Sequence, residues 1–279
     1  MSDVIVYQGE AGAYSHLACQ DGFPEMTPQP CPSFAAAFAQ VRSGAAQLAM
    51  IPVENTVAGR VSDIYHLLPE GGLHIIGEQY LAVHHQLLAL PGTQLSEINT
   101  ARSHPMALGQ VRKRLADMNI TPVADVDTAG AARAVAQLGD RSVAAIASTL
   151  AGQTYGLEVL AADIEDAAHN TTRFLILADT PLSLPKESGP VVTSFVFKVR
   201  SVPSALYKAL GGFATNGINM TKLESYMVGG SFQAAQFYAD VEGHPEDAAM
   251  KHALEELSFF TESVTLLGTY PAHPSRSRD

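Results

Sequence analysis

At 279 residues, 47% hydrophobic and 16% charged, the chain can bury roughly three quarters of the surface its unfolded form exposes, which excludes a disordered tail protein and makes disulfides or a structural metal unnecessary. Its 17 Lys and Arg stand against 28 Asp and Glu, and the formal charge of -11 repels polyphosphate backbones and anionic lipid, so neither nucleic acid nor a membrane is an expected partner. The opening MSDVIVYQGEAG has no basic leader, apolar core or small-residue cleavage site, and the apolar stretch Leu81 to Leu90 is broken by His84, His85 and Gln86. Cys19 and Cys31 fit neither a redox pair nor a metal set. A cytoplasmic protein with two reduced, packed thiols is expected.

In chain order, a strand is expected over Val4 to Tyr7, followed by Gly9 and Gly12. Ser33 caps a helix carrying Phe34, Phe38 and Val41, Gly44 closes it, and Leu48 to Val53 reads as a buried strand. Leu73 to Leu90 reads as extended. The pattern then repeats as strand Ile98 to Arg102, helix Pro105 to Met118, strand Ile120 to Ala124, helix Thr128 to Leu138 and strand Val143 to Ala147, with a further strand at Arg173 to Leu177. Such alternation predicts an α/β fold with mostly parallel strands.

The stretch Asp179 to Pro190 packs prolines into a polar linker. Beyond it, strand Val191 to Val199, helix Pro203 to Thr215, strand Ile218 to Val228, a Gly229-Gly230 turn, strand Phe232 to Val241, helix Pro245 to Phe259 and strand Val264 to Tyr270 make a βαββαβ unit. On its third strand Ala235, Phe237, Ala239 and Val241 face the helices. Phe232, Gln236 and Tyr238 face away, and that aromatic outer face predicts pairing of subunits.

Four clusters at turns or strand ends carry the candidate chemistry. Gly9 to Ser15 joins a strand to a helix, where Gly12, Ala13, Tyr14 and Ser15 either hold a carboxylate on free amides or form a plain turn. In Pro52 to Gly59, Asn55 and Thr56 either donate to an oxygen-rich ligand or cap a helix. In Ser103-His104-Pro105 the serine suits a helix cap and the histidine suits proton transfer near neutrality. In His169 to Phe174, beside Asn170 and Thr172, Arg173 opens an apolar strand and needs an anionic partner, a ligand carboxylate or a structural one. Together they describe a cleft for a polar, anionic small molecule. The chain lacks H-E-x-x-H, Walker, G-x-S-x-G and Cys/His metal patterns, so neither metal nor organic cofactor is expected.

These residues resemble a known family. G-x-x-G-A-Y-S at Gly9 to Ser15, P-V-E-N-T-x-x-G at Pro52 to Gly59, S-H-P at Ser103 to Pro105 and N-x-T-R-F at Asn170 to Phe174 are similar, in order and spacing, to bacterial prephenate dehydratases with a C-terminal ACT regulatory domain. The resemblance implies a catalytic domain over 1–180 like type 2 periplasmic binding proteins, with lobe 1 about 1–79 and 161–180 and lobe 2 about 80–160, then a ferredoxin-like ACT domain over 191–279. It implies conversion of prephenate to phenylpyruvate in phenylalanine biosynthesis. By the same resemblance Thr172 would donate to the leaving hydroxyl, Arg173 would grip a substrate carboxylate and Phe174 would shape the pocket. His104 or Glu54 would supply a proton, and Asn55, Thr56, Ser103, Asn170 and the Gly12 to Ser15 loop would complete the substrate shell. The rivals are an arogenate dehydratase, acting on the amino form of the same ring, and a non-catalytic protein that closes its lobes on an amino acid or other solute.

Family members that bind phenylalanine show G-A-L and E-S-R-P in the ACT domain, where this chain has Ser204-Ala205-Leu206 and Glu224-Ser225-Tyr226-Met227. The implied effector positions are Leu206, Asn216, Asn219, Thr221, Lys222, Leu223, Glu224 and Ser225. The expectation is an altered effector site, with phenylalanine the first candidate and weakly inhibitory, in a homodimer or homotetramer.

Overall fold

Short strands alternate with helices over most of the chain. The computed structural model describes residues 3–227 and 235–277. The N-terminal elements are β1 (Val4–Gln8), α1 (Tyr14–Gly22), β2 (Thr27–Cys31), α2 (Phe34–Arg42), β3 (Leu48–Asn55), β4 (Gly59–Arg60), α3 (Ser62–Glu70) and β5 (His74–Ala82). There follow β6 (Gln86–Ala89), β7 (Thr100–Ser103), α4 (Pro105–Gln110), α5 (Arg112–Asp117), β8 (Thr121–Ala124), α6 (Thr128–Leu138), β9 (Val143–Ala147), α7 (Thr149–Tyr155), β10 (Glu158–Ala161) and β11 (Thr171–Ala178). The C-terminal elements are β12 (Val191–Val199), α8 (Ala205–Thr215), β13 (Met220–Met227), β14 (Ala235–Glu242), α9 (Ala248–Phe260) and β15 (Thr261–Pro271). Contacts group these into two units, Met1–Val61 with Gln79–Phe174, and Ser62–Glu78 with Leu175–Asp279.

In the first unit β1 pairs in parallel with both β2 and β3, in a sheet of order β2-β1-β3-β11-β5. The Ser33 hydroxyl caps α2 by accepting from Ala36 N at 3.2 Å. Cys19 and Cys31 are buried and unpaired, and burial pushes the Cys19 thiol up to about 12, so it packs as an uncharged group. The second sheet runs β10-β6-β9-β7-β8. Its β7 is parallel to β8 and β9, as the alternation requires, but β6 is antiparallel to β9 and β10.

One helix expected as continuous, Pro105 to Met118, is broken at Val111. The cause lies far away in sequence: the Asp166 carboxylate accepts from the amides of Lys113 and Arg114, and Asp166 N donates to Gln110 O. A remote residue thus supplies the end groups of two short helices.

The second unit contains the expected βαββαβ, with strand order β13-β14-β12-β15 and all pairs antiparallel. Phe195, Phe197, Phe213, Phe237, Val241, Met250 and Leu257 pack between the sheet and its two helices. The turn at Gly229-Gly230 and Phe232 lie outside the described residues. The opposite face departs from expectation. Tyr238 is only 1% exposed, because Tyr65 of α3 stacks edge-on against it with ring centroids 5.4 Å apart, and Tyr226 lies against Tyr65 and His66. A helix from the same chain therefore covers Tyr238 on the face whose aromatic side chains were expected to pair subunits. Close approach continues at Gly268, where a Cβ would collide with the carbonyl of Ile75. Arg276 closes this unit by a bidentate pair with the fully buried Glu78, at 2.6 and 2.9 Å, and reaches Asp240 at 3.4 Å.

Ser204, which stands where the resembled family has glycine, is the N-cap of α8 and holds φ +63. A side chain in that left-handed region is strained. Ser204→Gly should therefore stabilise the protein by about 1 kcal/mol, read as a higher urea midpoint at unchanged slope. A lower midpoint would show that the serine hydroxyl matters more than the backbone.

Candidate active site

Three helices of the first unit begin at one cavity of about 330 Å³. The start of α1 contributes Ala13, Tyr14 and Ser15, that of α4 contributes His104, Met106 and Ala107, and that of α6 contributes Asp127 and Thr128. Strand ends and their flanks add Asn55, Val83, His85, Thr172 and Phe174, and Gln110 closes one side. The starts of α4 and α6 are capped by side chains, His104 Nδ1 accepting from Met106 N and Asp127 Oδ1 from Gly130 N. That of α1 has no side-chain cap. No acceptor for the amides of Tyr14, Ser15 and His16 is found among the described residues, so this turn offers donors to an anion. The turn is fixed at Gly12, whose φ is +87 and where a Cβ would lie 2.6 Å from Ala151 Cα; its carbonyl accepts from the Ser148 hydroxyl.

A hydrogen-bonded chain crosses the site, and its polarity follows from one anchor. Asn55 Oδ1 accepts from two backbone amides, Val57 N at 2.9 Å and Ala58 N at 2.7 Å. Its Nδ2 must then be the donating end, to Asn170 Oδ1 at 2.7 Å and Thr172 Oγ1 at 3.0 Å. Asn170 Nδ2 donates in turn to Gln110 Oε1 at 2.9 Å, and the same oxygen lies 2.7 Å from His85 Nε2. An acceptor already defined cannot donate, so His85 carries its proton on Nε2, and its Nδ1 lies 2.7 Å from Tyr14 OH, whose single proton is shared with His84 O at 2.9 Å. Burial lowers the His85 pKa from 6.5, which keeps it neutral, while burial and then the Glu165 charge hold the Tyr14 phenol well above 10. Thr172 accepts within this chain and keeps its own proton for the cavity.

The expected residues divide sharply. Ala13, Tyr14, Ser15, Asn55, His104, Thr172 and Phe174 line the cavity. Asn170 is 4% exposed and acts behind it through the hydrogen-bonded chain. Arg173 does not line the cavity: successive residues of β11 face opposite ways, so Thr172 and Phe174 look in while Arg173 binds Glu54 at 3.0 Å on the other side. That pairing also occupies Glu54, which is absent from the lining. Ser103 is fully buried and donates to Ile146 O, and His104, not Ser103, caps α4. Thr56 clips two strand ends, donating to His169 O and accepting from Thr171 N.

Sequence reading missed His85, Gln110 and Asp127. The available signal for His85 was a pair of histidines and a glutamine inside an apolar run. Gln110 carried none, since its position depends on the helix break made by Asp166. Among the described residues, one group has metal-ligand spacing, His84, Asp163 and Glu165, with ligand atoms within 4.8 Å. Its members already bond one another and their neighbours: His84 Nδ1 lies 2.9 Å from Glu165, the second Glu165 oxygen accepts from His85 N, and Asp163 accepts from Gln86.

The implied effector positions spread over the second unit. Leu206 packs on the core, Asn216 donates to Gly212 O and Asn219 to Glu242. Thr221, Leu223 and Ser225 lie exposed on edge strand β13, where Lys222 pairs with Glu224 at 3.2 Å.

Comparison with known proteins agrees with this architecture. A family model described as prephenate dehydratase matches residues 5–181. A Komagataeibacter europaeus protein named bifunctional N-acyl-homoserine lactone acylase/prephenate dehydratase is 50% identical over 275 residues, 99% of this chain and 98% of that one. The Arabidopsis thaliana protein named arogenate dehydratase/prephenate dehydratase 1, chloroplastic, is 39% identical over 281 residues, 96% of this chain and 71% of its own length. A solved prephenate dehydratase from Arthrobacter aurescens, in complex with L-Phe, has a TM-score of 0.88 at 30% identity and covers 96% of this chain and 90% of that one. On motif, fold and relatives together, the chain belongs to the prephenate dehydratase family of lyases.

Proposed function

We propose that this chain converts prephenate to phenylpyruvate, with residues 1–180 catalytic and 191–279 regulatory. The observation that carries the reading is the unclaimed proton of Thr172 in a cavity of about 330 Å³ whose hydrogen-bond polarity is fixed. In the reaction the bond from the ring to its carboxylate breaks, its electron pair enters the ring, and the carbon–oxygen bond at the opposite end breaks, releasing carbon dioxide and hydroxide. One proton turns the hydroxide into water. Aromatisation drives the change, so the site has to orient the ring and assist hydroxide departure. Thr172 donates to the leaving oxygen. The His104 cap bond makes Nδ1 an acceptor, which leaves Nε2–H as a hydrogen-bond donor to the leaving oxygen in the same lining, and solvent supplies the proton that completes water. The free amides of α1 take the pyruvyl carboxylate. Among the described residues no helix is long and apolar enough to cross a membrane.

Regulation by an amino acid is part of the same reading, with phenylalanine first because the Arthrobacter aurescens relative was solved with L-Phe. The exposed edge strand β13, with Leu223 and Met227 outward, supports assembly into at least a dimer.

Thr172→Val keeps the volume and removes the hydroxyl. It should lower kcat for phenylpyruvate formation on the order of 100-fold with little change in KM and in unfolding midpoint. Normal turnover in this variant would overturn the assignment of Thr172. A second expectation concerns acid. The folded pKa of His85 lies below its unfolded value of 6.5, so the unfolded state binds more protons in between. Its contribution to stability is complete above about pH 6.5 and is lost as pH falls through the folded value. Urea unfolding between neutral and mildly acidic pH should show that loss, and His85→Gln should flatten it; an identical slope in the variant would count against a neutral buried imidazole. Calorimetry should give phenylalanine binding weaker than micromolar with shallow inhibition, because Ser204 and Tyr226-Met227 replace the usual residues. Tight binding with complete inhibition would refute it.

A further inference from the structure

We propose that Asp127 reads the amine of an amino-acid substrate, so that the cavity takes the amino form of the ring acid, arogenate, and favours it against the keto form. The inference rests on the dehydratase reading above. Among the described residues Asp127 is the one carboxylate in the cavity lining, and the lining contains no lysine or arginine. Arg133, the cation on the same helix, is bound at both its Nε and Nη2 by Glu10, at 2.6 and 2.7 Å. A ligand with two carboxylates gains nothing from a fixed negative charge in its wall, whereas one that also carries an ammonium does.

The arrangement suits both charged groups on the amino acid's α-carbon. The uncapped first turn of α1 supplies amides for the carboxylate, and the carboxylate at the start of α6 accepts the ammonium. Glu10 precedes α1 and Arg133 belongs to α6, so their bidentate pair ties the two helix starts together. Asp127 uses Oδ1 for its helix cap, and Oδ2 lies where Gly130 has no side chain: a Cβ there would stand 2.8 Å from it. The amine does not react. The same ring bonds break, and phenylalanine, carbon dioxide and water leave in place of phenylpyruvate, carbon dioxide and water.

The test is steady-state kinetics of the full chain on purified arogenate and prephenate, with wild type and Asp127→Asn. Asparagine keeps the acceptor that caps α6 and removes the charge. Wild type should turn over both substrates. In the variant kcat/KM for arogenate should fall about tenfold or more, chiefly through KM, while that for prephenate should rise about twofold or more as like-charge repulsion disappears. Opposite movement is the signature that damage to the fold would not produce, and an unchanged thermal midpoint accompanies it. Parallel loss on both substrates, an unchanged ratio, or a wild type active on prephenate alone overturns the role of Asp127 and leaves the dehydratase reading standing. A wild type active on neither substrate overturns that reading and this inference with it.

Discussion

Asn55 is the constraint on which the site depends. Its side-chain oxygen is committed to two amides of its own turn, which leaves the nitrogen end to face β11. Every donor and acceptor further along is then decided, through Asn170 and Gln110 to the tautomer of His85. Buried polar chains of this kind are costly when half satisfied and rigid when complete. Here completeness has a chemical consequence, because the hydroxyl that accepts from Asn55 lines the cavity and keeps its own proton as a donor.

Rigid placement of that chain requires pieces distant in sequence. Asn55 ends β3, Asn170 and Thr172 flank the start of β11, and Gln110 is delivered by a helix that stops where Asp166 takes over its hydrogen bonds. Capping makes a parallel distinction at the cavity wall. Helices α4 and α6 bring side-chain caps, whereas α1 brings bare amides, so three similar helix starts present an imidazole, a carboxylate and a donor turn respectively.

Much of this was legible in the sequence, for reasons that differ by element. Helix α6 and strands β9 and β12 matched expectation to the residue, because their caps and β-branched runs are local signals. The break between α4 and α5 was hidden, since its cause is a carboxylate more than one helix away in the chain. The alternation of the βαββαβ sheet predicts an aromatic outer face, but nothing in that alternation says whether a second subunit or α3 covers Tyr238. Thr172, Asn55 and Tyr14 were found from clustered polar residues at strand and helix ends. Asp127 was passed over because an aspartate before a helix already has a sufficient local explanation as a cap.

The position of Arg173 follows from what decarboxylation demands. A guanidinium clamped on the departing carboxylate would stabilise it most while it is still charged, and that stabilisation is lost as neutral carbon dioxide forms, so the barrier would rise. The strand alternation that turns Arg173 toward Glu54 keeps this strong cation off the reacting face. Weaker, oriented dipoles remain there: on the proposed reading the amides of α1 would hold the carboxylate that stays, and the Thr172 hydroxyl would meet the oxygen that leaves with an electron pair. Among the described residues the lining holds one carboxylate and no lysine or arginine, a wall of dipoles that on this reading would separate the group that must remain from the groups that must go.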